Sequence, residues 1–406
     1  MREENLEIRE ALAVYAPETP ETERVPPGYK QTDVGVIPED WEVAAVGDVA
    51  TFMSGALIST ASLHRRSSEF PVPVFGGNGI AGYTSGALVL APTVVIGRVG
   101  QKCGSVYRTN GPAWITDNAL YPRRIHRPIE IDFLALALEA ARLNEVRNRN
   151  DLPLITQSIL RDVLIALPPE TSEQRAIAAA LLDVDALISS LDRLISKKRA
   201  VKTAAMQQLL TGKQRLPGFS GEWETVRIGA YLRFQVGAPF SSSYFNQSEE
   251  GIRLVKNRDL KADDQVFFYN GPFGNEFVVR DGDVLIGMDG DFIPCLWRKG
   301  PALLNQRVGR ILPTSQISPT FAYYALEGPL RDIEEKTSST TVKHLSHGDV
   351  ANIEMSLPLF AEQTAIAGVL SDMDAEIGAL EARREKTRRV KQGMMQELLT
   401  GRTRLV

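Results

Sequence analysis

From Thr171 onward the apolar residues Ile177, Leu181, Val184, Ile188, Leu191 and Ile195 step by four, three, four, three and four, the a/d seam of a coiled coil. The spacing predicts a helix of about 40 residues, roughly 60 Å long. Thr171 with Gln174 has the spacing of a capping box, and Pro168-Pro169 cannot continue a helix backwards. Gly212 offers the left-handed exit, with Lys197, Lys198, Arg199 and Lys202 towards the negative end of the macrodipole. Elsewhere the apolar runs are short and bounded by Gly, Pro, Asn or Asp: Val72–Phe75, Leu88–Leu90, Thr93–Ile96, Val266–Tyr269, Phe277–Val279 and Asp283–Ile286. They read as strands. Ile131–Leu143 and Pro319–Lys336 have helical spacing instead.

The helical pattern occurs twice. Glu173–Leu216 recurs without a gap as Glu362–Leu405, with 23 of 44 positions identical at an offset of 189. The second copy keeps Ile366, Leu370, Met373, Ile377 and Leu380, but Arg384 stands where Ile195 was and Phe360 where Thr171 was. Upstream, Trp41-Glu42, Val46-Gly47, Phe52 and Gly55 match Trp223-Glu224, Ile228-Gly229, Phe234 and Gly237 at an offset of 182. A period this long is a duplicated half-molecule rather than a solenoid. Each half reads as a Trp-Glu opening, a divergent block and a repeated tail: one mount carrying two different readers.

A compact block of about 140 residues has a radius of gyration of roughly 14 Å, too small to bridge a 60 Å helix end to end. The end of the first helix and the start of the second therefore sit together, and the helices run antiparallel. The expected fold is α+β: two strand-rich domains joined by two long antiparallel coiled-coil helices in a pseudo-two-fold repeat. The boundaries are an acidic leader over 1–27, a first domain over 28–152, a central repeated region over 153–216, a second domain over 217–343 and a C-terminal repeated region over 344–406.

Composition narrows the function by exclusion. Two cysteines, Cys103 and Cys295, rule out a disulfide scaffold or a cysteine zinc cluster. Met1–Glu10 is acidic without an apolar run, and no window approaches 18 apolar residues, so neither a secretory signal nor a membrane span is expected and a cytoplasmic location follows. The net charge of -4 hides its distribution. Residues 1–50 carry 4 basic against 12 acidic side chains, residues 60–150 carry 11 against 6, and residues 227–343 balance at 14 each. The first block is basic behind an acidic leader.

Catalytic motifs dissolve on inspection. Gly77-Asn78-Gly79-Ile80-Ala81-Gly82 fits a dinucleotide fingerprint, but Tyr83-Thr84-Ser85-Gly86 follows where a helix should open, so a glycine-rich turn is expected. Gly282-Asp283 and Asp289-Gly290-Asp291 are turn chemistry. His344 and His347 lack further metal ligands and read as helix-flank or surface residues. There is no phosphate-cradling Gly-Lys-Ser/Thr loop, no Asn-Pro-Pro-aromatic signature and no nuclease carboxylate–lysine set. Jointly this points to a binding subunit.

Certain segments carry a resemblance. Gly28-Tyr29-Lys30-Gln31-Thr32, continuing through Gly35-Val36-Ile37-Pro38 to Trp41-Glu42, resembles the opening of the specificity subunit of type I restriction-modification enzymes. Thr93–Gly100 with Trp114–Leu120 is similar to one class of its target recognition domains, and Gly282–Gly290 with Leu304–Gly309 to another. The Met-Gln-x-Leu-Leu-Thr-Gly runs at Met206 and Met395 resemble its two spacer regions. The likeness covers about residues 28–406 and leaves the leader outside it.

The resemblance implies a prokaryotic host-defence protein without an active site, reading each half of a split, asymmetric double-stranded DNA target with a different domain. It implies that the helices act as a ruler, that two methyltransferase subunits dock on the repeated regions, and that translocating restriction subunits join them. It implies no cofactor on this chain, with S-adenosylmethionine, ATP and magnesium carried by the partners. Arg can bond guanine, Asn and Gln can bond adenine, and Lys suits phosphate. On that chemistry the candidate DNA contacts are Asn78, Arg98, Lys102 and Asn118 in the first reader. In the second they are Lys256, Asn257, Arg258, Arg298, Asn305, Gln306 and Arg307. For Asn118 and Asn305 the alternative is burial that satisfies strand ends. Two other classes stay open on the residues: a coiled-coil adaptor that binds only protein, and a nuclease or methyltransferase with its site hidden in a divergent block.

Overall fold

The structure, a computed structural model, describes residues 25–146, 153–336 and 343–405. Most of the acidic leader, residues 1–24, lies outside the described residues. The chain divides into two compact units, Met1–Ser190 with Arg384–Val406, and Leu191–Arg383. Each long helix, Thr171–Leu209 and Phe360–Leu398, is 39 residues long and contributes a part to each unit.

In the first unit the buried run Val94–Gly97 pairs with Ala119–Ile125 and Val106–Arg108, and Ala50–Ser54 completes an antiparallel four-stranded sheet. A second sheet joins the hairpin of Val72–Gly76 and Gly79–Thr84 to Trp114–Ile115, which pairs in parallel. Gly79 takes φ +96° at the hairpin turn, the glycine-rich turn expected there rather than a nucleotide loop. Glu42–Ala45 pairs with Leu164–Leu167, which leads into the first long helix. Ile177 and Leu181 are fully buried in one core with Ile37, Trp41, Phe133 and Leu399. Each such aliphatic side chain contributes about 1.5–3 kcal/mol through burial.

The second unit repeats this plan. Leu232–Val236, Val308–Pro313, Val284–Gly287 and Pro294–Leu296 form an antiparallel sheet in the corresponding order. Glu224–Arg227 pairs with Glu354–Leu357 ahead of the second long helix. Its other sheet has five strands instead of three: Phe245–Asn246, Phe267–Tyr269, Ile252–Val255, Ala302–Leu304 and Val278–Val279. Divergence therefore lies in the second sheet, while the sheet next to the helices is retained.

Within each unit the two helix halves run antiparallel. In the second, Lys198 bonds Glu376 at 2.8 Å and Lys202 bonds Asp374 at 2.6 Å, so advancing along one helix retreats along the other. In the first, Lys391 bonds Asp185 at 2.9 Å. Lys391 and Asp185 are the repeat equivalents of Lys202 and Asp374.

The mount is built twice from the same parts. Trp41 donates its indole N–H to Glu173 at 3.3 Å, and Arg404 holds the same carboxylate at 2.5 Å. Trp223 donates to Glu362 at 3.1 Å, with Arg215 at 2.6 Å. Both carboxylates are buried, and Arg404 also grips Asp40, which holds that carboxyl below its ordinary pKa. Gln174 donates to the Pro168 carbonyl and accepts from the Glu130 N–H; Gln363 does the same with Pro358 and Ser318.

That use of Gln174 corrects one expectation. Thr171 already lies within the helix, and the Gln174 amide is spent on the preceding strand end and the helix at Ile131–Ala140 instead of closing a capping box. Leu88–Leu90 makes only an isolated bridge, Val89 with Ala113, and not a strand. The helix at Ile131 stops at Ala140, before Arg142 takes φ 48°. Pro319–Lys336 is two helices, Pro319–Ala325 and Glu327–Lys336. Gly212 and Gly401 have φ +69° and +68°, the left-handed exits the sequence calls for.

Candidate nucleic-acid interface

In the first unit the buried strand Val94–Gly97 delivers Arg98 to a convergence of loops. The Arg98 N–H donates to the Asn118 carbonyl at 3.0 Å, its carbonyl accepts from Ile155 at 2.9 Å, and Gly100 donates to Pro153 at 3.1 Å. A Cβ on Gly97 would stand 2.3 Å from the Gly77 carbonyl oxygen and 3.1 Å from that of Lys102, so glycine is what lets these backbones approach. Asn78, Lys102 and Asn118 stand exposed or half-buried around this point, and Arg98 is half-buried. The four residues selected in the first reader therefore come together.

The second unit repeats the framework with other side chains. Met288 donates to the Arg307 carbonyl at 3.0 Å, Leu345 donates to Met288 at 2.8 Å, and Gly290 donates to Lys343 at 3.2 Å. Gly287 replaces Gly97, with the Asn257 amide oxygen only 1.9 Å from where a Cβ would stand. Asn257 donates its amide to the Asp289 carbonyl at 2.6 Å. The Asp289 carboxylate meets Arg307 at 3.3 Å and His344 Nδ1 at 2.9 Å. Asn305 follows the strand Ala302–Leu304 and is half-buried, while Gln306 and Arg307 are exposed.

Other selected residues are held differently. Lys256 Nζ lies 3.3 Å from the Phe267 ring centroid, and burial pushes its ammonium below the ordinary lysine pKa. The Arg258 guanidinium donates to Gln265 Oε1 at 2.7 Å and meets Asp259, whose carboxyl burial pushes up. Arg298 is exposed on the wall of a cleft of about 530 Å³ that includes Asn257, Tyr323 and Asp374. The same cleft is lined by Ser371, Asp374 and Gly378 of the second long helix.

Asp289 and His344 do not stand out in the sequence as partners in one cluster. Asp289 has the look of turn chemistry, and Gly290 does take φ +83°, but the same aspartate also anchors Arg307 and His344. The signal lies at an offset of 190, where the isolated bridge Val99–Leu154 becomes Asp289–His344. Among the described residues no group of three or more His, Cys, Asp or Glu side chains is placed to hold a metal, and no helix is long and apolar enough to cross a membrane.

Comparison with known proteins is consistent across sequence and fold. The type I restriction modification DNA specificity domain matches twice, over residues 38–197 and 221–387. The specificity subunit of the type I restriction enzyme EcoBI of Escherichia coli is 35% identical over 185 residues, covering 44% of this chain and 39% of that protein. The MjaVIII specificity subunit of Methanocaldococcus jannaschii is 24% identical over 405 residues, covering 91% of this chain and 94% of that one. In fold, the crystal structure of the S subunit from M. genitalium superposes with a TM-score of 0.67 at 16% identity, covering 88% of this chain and 96% of that chain. With two matches to one domain on two copies of one mount, the chain belongs to the type I restriction-modification DNA specificity family, as a specificity subunit.

Proposed function

We propose that this chain gives a type I restriction-modification complex its DNA sequence preference, and that it reads a two-part, asymmetric duplex target without carrying chemistry of its own. The observation that carries this reading is one framework used twice with different contents. The Trp-Glu-Arg and Lys-Asp pairings recur in both units, whereas the loop positions exchange Arg98 for Met288 and Asn118 for Arg307. A repeated mount suits two copies of one methyltransferase partner, and differing loops suit two different half-sites. Restriction subunits join the same assembly.

On this reading the domains are those over 28–152 and 217–343, with docking on 153–216 and 344–406. The DNA contacts are Asn78, Arg98, Lys102 and Asn118 in one reader and Lys256, Asn257, Arg258, Arg298, Asn305, Gln306 and Arg307 in the other. Asn and Gln at such loop tips, and Arg307 in the second reader, have the donors and acceptors that base edges require. The test is to assemble the chain with its methyltransferase partners, supply S-adenosylmethionine and map methylated positions across mixed genomic DNA. One recurring two-part sequence supports the reading. Methyl transfer by the chain alone, or methylation without sequence preference by the assembly, overturns it.

A further inference from the structure

Beside the loops of the first reader lies a cleft of about 540 Å³ whose walls include Thr51, Arg98, Thr156, Ser158 and Arg161. Two arginines line it from different parts of the chain. Arg98 arrives on the strand end and donates Nη1 to the Ser54 hydroxyl at 3.1 Å. Arg161 arrives from the short helix Gln157–Arg161, and its stem crosses Gly47 so closely that a Cβ there would stand 2.2 Å from the arginine Cγ. Asp162 takes the Arg161 Nε at 3.2 Å. Among the described residues no carboxylate pairs with Arg98, and none lines the cleft. Thr51, bonded to His126 at 2.7 Å, adds a hydroxyl to the wall.

The second unit has the same framework at this place but neither arginine. Met288 stands for Arg98 and is buried in the core, and Ala351 stands for Arg161, its Cβ 2.9 Å from where one on Gly229 would be. His347 replaces Gln157 and packs its ring on Phe234 in a T-shaped contact, centroids 5.7 Å apart. One cation remains nearby in sequence, Arg233 at the position of Thr51. The first block's excess of basic residues over 60–150, against balance over 227–343, runs in the same direction.

Resting on the proposed DNA-reading function, we infer that Arg98 and Arg161 form a clamp for one phosphodiester of the DNA backbone, present in the first reader and absent from the second. Two guanidiniums, of which only Arg161 is paired to a carboxylate (Asp162), together with hydroxyl donors and no carboxylate on the cleft wall, are a donor set suited to a phosphate contact, charge-assisted and indifferent to base identity. The Arg98 N–H on the Asn118 carbonyl puts the clamp one backbone step from the reading loop. Arg98 then sets register, while Asn78 and Asn118 read bases.

The test uses the chain assembled with its methyltransferase partners and two duplexes, one with the mapped target and one scrambled. The clamp predicts that R98A/R161A weakens both duplexes by the same factor, roughly ten- to a hundredfold, and leaves the methylated sequence unchanged. The slope of log affinity against log salt should become shallower by about 0.9, the signature of one phosphate no longer neutralised. R98K/R161K should restore most of the affinity. Loss confined to the target duplex would make Arg98 a base reader and overturn the clamp. Unchanged binding to both duplexes, or binding that the lysine variant fails to restore, would also overturn it. If inorganic phosphate stabilises the wild-type assembly and not the alanine variant while DNA binding is equal, the cleft takes a free anion instead, which also contradicts the proposal. Equal affinity of the wild-type assembly for both duplexes would instead sink the DNA-reading function itself, independently of any variant.

Discussion

Lys202 on the first long helix donates to Asp374 on the second at 2.6 Å, and the same carboxylate accepts the Tyr324 hydroxyl at 2.7 Å. The first unit repeats the ion pair as Lys391 with Asp185, but there Lys391 also reaches Glu139. One aspartate thus ties helix to helix and helix to reader. Asp374→Ala should lower stability by about 1 kcal/mol, since the pair is partly exposed and screened. A double-mutant cycle with Lys202→Ala, measured by urea unfolding, should give a coupling that shrinks in high salt. Additive effects would mean the pair does not hold the helices.

The buried seam should matter more than the ion pairs. Leu181 and Leu370 are both fully buried, one in each unit's core. Leu181→Ala or Leu370→Ala should cost about 2–5 kcal/mol, the range for truncating a packed leucine. Thermal unfolding of each variant checks this, and a change well short of that range in both would mean the seam contributes little to stability.

Glycine at the reading loops makes a sharper functional prediction. A Cβ on Gly97 would meet the Gly77 carbonyl oxygen at 2.3 Å, backbone that cannot swing aside as a side chain can. Gly97→Ala should therefore displace the Asn78 turn and reduce target discrimination in one half-site while the second reader keeps its own. Methylation mapping decides it; an unaltered target would mean the loops do not form the reading surface.

Alkaline pH should loosen the second unit. Burial, reinforced by the Asp374 charge, pushes the Tyr323 hydroxyl up to about 12 and raises Tyr324 further in the same direction. A phenol whose folded pKa is raised stabilises fully below its unfolded value near 10 and loses that contribution as pH rises through the folded value. Stability should hold to about pH 9.5 and fall between roughly 10 and 12. Tyr323→Phe should flatten that fall, measured by urea midpoints across the range, and an unchanged slope would contradict the assignment.

What the sequence made legible follows periodicity and identity. Ile177, Leu181, Leu191 and Ile195 are buried as the heptad requires, and both helices have the anticipated length. The strands around Val94 and Val284 were equally plain, being apolar runs between turn residues. Less legible was what long-range partners do to a side chain. Gln174 has the spacing of a cap because sequence shows its neighbours at three and four residues, but its partner is the Glu130 N–H, 44 residues away. Leu88–Leu90 has strand composition, yet its backbone finds only one bridge, Val89 with Ala113. Among the candidate contacts, Asn78, Arg98, Lys102 and Asn118 stand out by their chemistry, but not Arg161, which lines the same cleft as Arg98, since distant stretches of chain supply the two and only the fold brings them together.

If two different readers on one repeated mount each specify part of one target, the two parts should fail separately. The most direct measurement is genome-wide methylation mapping of the chain assembled with its methyltransferase partners, comparing wild type with Asn118→Ala and Arg307→Ala, which occupy equivalent positions in the two units. One two-part target is expected for the wild type, relaxed in one half by Asn118→Ala and in the other by Arg307→Ala, at about 1–3 kcal/mol of discrimination for each base no longer read. Relaxation of the same half by both variants, or a wild-type assembly with no preferred sequence, would contradict it.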